Sequence, residues 1–111
     1  MPRGQSSFLN GIPELVVLRL LSQREMYGYE IVQAIREKSR AALQFGEGCI
    51  YPYLHYLEES KLVSSQRSVV DGRNRVYYLL TAKGSKRLET LLAEWQQVAH
   101  GVGLLLAKAG G

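Results

Sequence analysis

One hairpin in an otherwise helical chain is the feature that most limits the fold. In "LVSSQRSVVDGRNRVYYLL", two runs of β-branched and aromatic residues flank Asp71-Gly72. An Asp-Gly pair supplies the two left-handed positions that a tight hairpin turn demands. Apolar spacing elsewhere is that of helices, so these two strands have no further strand partner in the pattern. The chain must therefore bury one small sheet against a helical body.

The helices follow from three-and-four spacing. From Pro13, Leu15, Leu18 and Leu21, with Val17 and Leu20 beside them, give a broad apolar face that stops near "SQRE". Proline suits the first turn, where its missing N–H is not needed. In "YGYEIVQAIREKS", Tyr27, Ile31, Ala34 and Ile35 fall on one face. "SRAALQFGEG" is a connection punctuated by Gly46 and Gly48. The third helix lies in "EGCIYPYLHYLEE". With Cys49 as its N-cap, Ile50 is the first helical residue and Pro52 the third, where it removes no bond. Ile50, Leu54 and Leu57 form the inner stripe, and Pro52, His55 and Glu59 point away. Thr81 caps a long fourth helix whose Leu88, Leu91, Leu92, Trp95, Val98 and Ala99 keep helical spacing. Gly101 and Gly103 are expected to fray or kink it.

Helix, helix, helix, hairpin, long helix is the order of a winged helix-turn-helix: mostly α, with a two-stranded β wing and a long C-terminal helix. The reading divides the chain into a DNA-binding part over 1–80, with an N-terminal arm at 1–11 whose one charge is Arg3, and a dimerisation helix and tail over 81–111. The last helix is too apolar to stand alone on so small a body. Leu88, Leu91, Leu92, Trp95 and Val98 are its candidate seam for a two-fold homodimer.

In this architecture the second helix of the motif enters the major groove of double-stranded DNA. That accounts for the odd composition of the third helix. Gly48 lets backbone come close, Tyr51 can donate to a phosphate, Pro52 can meet thymine methyls, and His55 can bond a base edge or a phosphate. Charge comes from the hairpin, with Arg73 at the tip and Arg67 and Arg75 along the strands. Tyr53 lies near the apolar stripe and belongs to the core instead. The formal net charge of +4 agrees with a polyanionic partner without requiring one.

Other classes find little support. One cysteine makes neither an internal disulfide nor a multi-cysteine zinc site. His55 and His100 sit on different helices, without paired carboxylates at ligand spacing. Gly46 and Gly48 do not follow a strand as a phosphate loop would. The expectation is a non-enzyme with no cofactor and no metal. No apolar run spans a membrane and no leader pattern opens the chain, so a cytoplasmic protein is expected. Two rival readings share the fold: a protein-interaction module, and a dimer that senses small molecules without direct DNA readout.

"ELVVLRLL", "YGYEIVQAI", "EGCIYPYLHYLEE", "GRNRVYYLLTAKG" and "LLAEWQQV", in that order, resemble the signature of PadR-like transcriptional regulators, over about Gly11 to Val98. The resemblance implies a dimeric bacterial regulator, usually a repressor, of the compact kind with a single C-terminal helix. Tyr51 and Pro52 match the family's Tyr-Pro pair, "GRNR" its wing, and Trp95 a tryptophan that stacks on flat aromatic ligands in some members. A planar aromatic small molecule is thus an implied partner. Two departures carry energetic expectations. Cys49 stands where the family has Thr or Ser, and as an N-cap it would cost about 1 kcal/mol. Lys61 stands where glycine is common, and a left-handed backbone there would cost about 1 kcal/mol; alternatively its ammonium reaches a phosphate.

Overall fold

The computed structural model describes residues 10–107. Arg3 and most of the arm, together with the last four residues of the tail, lie outside the described residues. The elements are α1 (Ile12–Leu21), β1 (Met26–Tyr27), α2 (Gly28–Lys38), α3 (Glu47–Glu59), β2 (Val63–Val70), β3 (Arg73–Leu80) and α4 (Ala82–Leu106).

Three helices close around one core. Val17 and Leu18 of α1, Ile31 of α2, and Ile50, Leu54 and Leu57 of α3 are fully buried, with Val63 at the start of β2. Among the described residues no polar or charged residue is buried, so the core is held by apolar packing alone. A bidentate contact from Arg87 to Glu14, at 3.0 and 3.4 Å, ties α4 to α1 at the surface.

The sheet has three strands, in the order β1-β3-β2, where the sequence pattern shows two. The third strand is only Met26 and Tyr27, which pair with Tyr78 and Tyr77. Two residues carry no alternation, so only the fold's tertiary pairing makes this strand. Tyr27, read from spacing as the first apolar residue of the second helix, is its N-cap. Its N–H donates to the Glu30 carboxylate at 3.1 Å. The β2–β3 hairpin turns on Asp71 and Gly72, with φ of 51° and 74°, the left-handed pair expected of Asp-Gly.

Helix α3 begins earlier than the spacing suggests. Gly46 is its N-cap and Glu47 its first residue, and Ile50 N–H already donates to the Gly46 carbonyl at 3.0 Å. Cys49 is therefore the third helical residue and not the cap, so no capping oxygen is lost there. Pro52 becomes the sixth, inside the helix. Its missing N–H leaves the Gly48 carbonyl without an intrahelical donor. Gly48 is exposed, so water can serve that carbonyl.

The junction between α3 and α4 is closely built. Thr81 Oγ1 accepts from Gly84 N–H at 3.0 Å and donates to the Lys61 carbonyl at 2.7 Å. Thr81 N–H donates to the Leu62 carbonyl at 3.1 Å. A Cβ on Gly84 would lie 2.0 Å from that same Leu62 carbonyl oxygen, so only glycine fits. Helix α4 then runs unbroken through Gly101 and Gly103 to Leu106, where fraying or a kink was expected. The molecule is accordingly drawn out to 61 × 29 × 25 Å.

Candidate nucleic-acid interface

The short connection after α2 and the core stripe of α3 fix which side of α3 faces out. With Ile50, Leu54 and Leu57 buried, Pro52, His55 and Glu59 are exposed on the opposite side, as the spacing predicts, and the earlier helix start adds exposed Gly48 to that side. Tyr56 is exposed beside them. Tyr51 is half-buried: its ring lies against α2, 2.5 Å from where a Cβ on Gly28 would stand. Gly28 thus makes room for Tyr51, and that contact locks α3 onto the start of α2. Burial, then the nearby Glu47 carboxylate, raises the Tyr51 phenol above its ordinary pKa. Tyr53 is half-buried too, its phenol raised first by desolvation.

The hairpin stands beside α3 and divides its arginines between two faces. Directly paired residues of an antiparallel ladder share a side. Arg67 pairs with Val76 and lies on the side of buried Val63 and Tyr78, which is the side of α3. Ser65, on that same side, bonds Glu58 of α3. Arg73 and Arg75 pair with Val70 and Ser68 on the other face. Arg67 and Arg73 are exposed. Arg75 is half-buried, with its guanidinium 4.2 Å from the centre of the Tyr27 ring. Sequence spacing could not show that contact, because it depends on the register of β1.

Helix α4 distributes its apolar residues unequally. Leu88 is buried in the core of its own chain, whereas the spacing assigns it to a partner seam. Leu91 and Leu92 pack partly on the same core. Trp95 and Val98 point outward and are 48% and 57% exposed. They line an apolar groove of about 770 Å³ with Ile12, Leu15 and Val16 of α1. Lys61 has φ of +64°, the left-handed backbone anticipated there. Among the described residues no group of His, Cys, Asp and Glu could hold a metal, and no helix is long and apolar enough to cross a membrane.

A helix-turn-helix whose outward helix is flanked by a charged β wing defines the winged helix-turn-helix class. Residues 17–90 match the model of the transcriptional regulator PadR-like family. The chain belongs to that family, whose members are transcriptional regulators and not enzymes. A PadR-like transcriptional regulator from Bacillus cereus superposes with a TM-score of 0.80 at 32% identity, over 93% of this chain and 100% of that one. Transcriptional regulator Rv3488 of Mycobacterium tuberculosis is 35% identical over 81 residues, 73% of each chain. Transcriptional regulator YqjI of Escherichia coli is 33% identical over 87 residues, 78% of this chain but 41% of its own length.

Proposed function

We propose that this regulator is a cytoplasmic repressor that binds a pseudo-palindromic operator as a homodimer, one α3 per half-site. The observation that carries the reading is the outward side of α3, where Gly48, Pro52 and His55 are exposed, beside a wing that turns Arg67 toward α3 and carries Arg73 and Arg75 on its other face. Gly48, Pro52 and His55 meet the major groove, Tyr51 supports them from the helix flank, and Arg67, Arg73 and Arg75 take phosphates. Residues 1–80 form the DNA-binding part and 81–111 the dimerisation part. Half-site centres lie about 10 bp or a multiple apart.

The second copy covers the groove between α1 and α4. Trp95, Val98, Val102, Leu104, Leu105 and Leu106 are exposed along one helix, an apolar extent that a monomer rarely leaves in water. A Cβ on Gly101 or Gly103 would meet nothing within 4 Å in this chain. Glycine inside a helix costs about 1 kcal/mol relative to alanine, so the pair is consistent with close approach of another helix. Trp95 beside that groove favours a further function, release from DNA by a planar aromatic effector held between the two subunits.

Fluorescence anisotropy tests the reading, with DNA from immediately upstream of the protein's own gene, a scrambled duplex, and duplexes selected from a randomised pool. Selective binding that weakens with log salt at a slope of about −4 to −8 is expected. Failure to enrich any duplex would overturn it.

A further inference from the structure

The outer face of the sheet carries an aromatic and cationic row that the core does not use. Tyr27 and Tyr77 are direct partners, and Arg75 lies two residues from Tyr77 on the same strand, so all three share that face. The Tyr27 and Tyr77 rings meet edge to face, 5.5 Å apart at 80°. The Arg75 guanidinium lies over Tyr27, 4.2 Å from the ring centre. Its Nε is covered and has no hydrogen-bond partner among the described residues. The ion pairs of the described residues join Arg24 to Glu30 and Arg87 to Glu14, leaving Arg75 without a carboxylate. An arginine placed for stability alone would be paired, because a half-desolvated cation without a counter-charge is costly. The ring is what holds it, and an aromatic face leaves the terminal N–H groups free for an anion.

Tyr27 is itself fixed from two sides. Strand pairing with Tyr77 sets its backbone before the ring, and the bond from its N–H to Glu30 sets the helix start after it. Its neighbour Gly28 is the seat of the Tyr51 ring from α3. One residue therefore joins the wing strand, the entrance of α2 and, through Gly28, the recognition helix.

We propose that Tyr27 is a positioning residue for DNA binding: its ring holds the Arg75 guanidinium beside the start of α2, where it takes a backbone phosphate flanking the groove that α3 enters. This rests on the DNA-binding reading above. An arginine held this way has less rotamer freedom to lose on binding, so the phosphate contact is stronger than a free side chain would give.

The test is a double-mutant cycle on a duplex that the wild-type protein enriches from a randomised pool, across a salt series. Tyr27→Phe keeps the ring and should bind within about twofold of wild type. Tyr27→Leu should weaken binding about three- to thirtyfold. It should also lower the salt slope by about one, as Arg75→Ala does. The double variant should be no weaker than Arg75→Ala alone. Additive losses, or a loss in Tyr27→Leu with the salt slope unchanged, would reduce Tyr27 to a structural role. A second measurement needs no DNA. In the free protein the Arg75 Nε–H resonance should be shifted by the ring current in wild type and Tyr27→Phe, and released in Tyr27→Leu; an unshifted wild-type resonance removes the stack. A wild-type protein that enriches no duplex brings down the DNA-binding reading together with this proposal. One that binds selectively but shows additivity loses only the role of Tyr27.

Discussion

Replacing Lys61 with glycine should stabilise the protein, and the structure gives the size of the effect. Lys61 stands just past the C-cap of α3, Ser60, with φ of +64°. It cannot relax, because its N–H donates to the Glu58 carbonyl at 3.0 Å and its own carbonyl accepts from Thr81 at 2.7 Å. The left-handed conformation costs a side-chain-bearing residue about 1–2 kcal/mol. Glycine removes that cost but has more freedom to lose on folding, about 0.4–1 kcal/mol. The net gain is about 0.5–1 kcal/mol, which for a domain of this size raises the melting temperature by about 3–6 °C. Urea and thermal unfolding at one fixed protomer concentration would read it, since the stability of the homodimer proposed above would depend on concentration. Lys61→Ala keeps the Cβ and should gain nothing. Equal gains from alanine and glycine, or no gain from glycine, would refute the argument from backbone strain. Both variants lose the ammonium, so if that group reaches a phosphate both should also lower the DNA salt slope by about one.

Gly84→Ala should go the other way, because its methyl must displace the Leu62 carbonyl that Thr81 also uses; a loss of about 1–3 kcal/mol in urea unfolding is expected, and an unchanged midpoint would show that the junction yields freely. The Tyr78 phenol is raised above its ordinary value by burial and then by Glu58, with Tyr51 and Tyr53 raised likewise, so the unfolded chain ionises first. Stability should be level below the ordinary tyrosine pKa of about 10 and fall as pH rises through the folded values; Tyr78→Phe should flatten that fall in melting curves, and an identical fall would refute the assignment. Val98→Asp, at an outward position on the apolar groove, should shift sedimentation toward the monomer while circular dichroism keeps its helical signal; a persistent dimer would place the seam elsewhere.

Elements whose signal is local were legible in the sequence, and contacts made across the fold were not. Asp71-Gly72 marks its own turn through backbone conformations that few residues tolerate, and Thr81 marks a helix start with its hydroxyl. The exposed positions of Pro52, His55 and Glu59 follow from a hundred degrees per residue. The onset of α3 was harder, because Gly46 caps the helix without a side chain and Pro52 invites a start just before it. Strand β1 left no pattern in two residues, though Glu30 three positions after Tyr27 is half of a capping signal. Leu88 shows a further limit. Apolar spacing says that a helix face is buried, but where the chain's own body ends along α4 decides whether itself or a partner buries it.

The proposed DNA interface separates reading from holding. Phosphate contacts carry most of the affinity and its salt dependence, while base-edge contacts carry sequence preference. The exposed side of α3 offers a proline, a histidine and a backbone free of Cβ at Gly48, groups suited to close approach and to few, directional bonds. Cations there would attract any phosphate and blur that preference. The wing holds them instead, Arg67 on the face toward α3 and Arg73 and Arg75 on the face away from it. Because the ladder fixes which arginine lies on which face, a one-residue slip of β2 against β3 would carry Arg67 to the other side without changing net charge. Placement of charge by strand register, more than its amount, is what a modest +4 chain has available to turn weak general attraction into a defined pose.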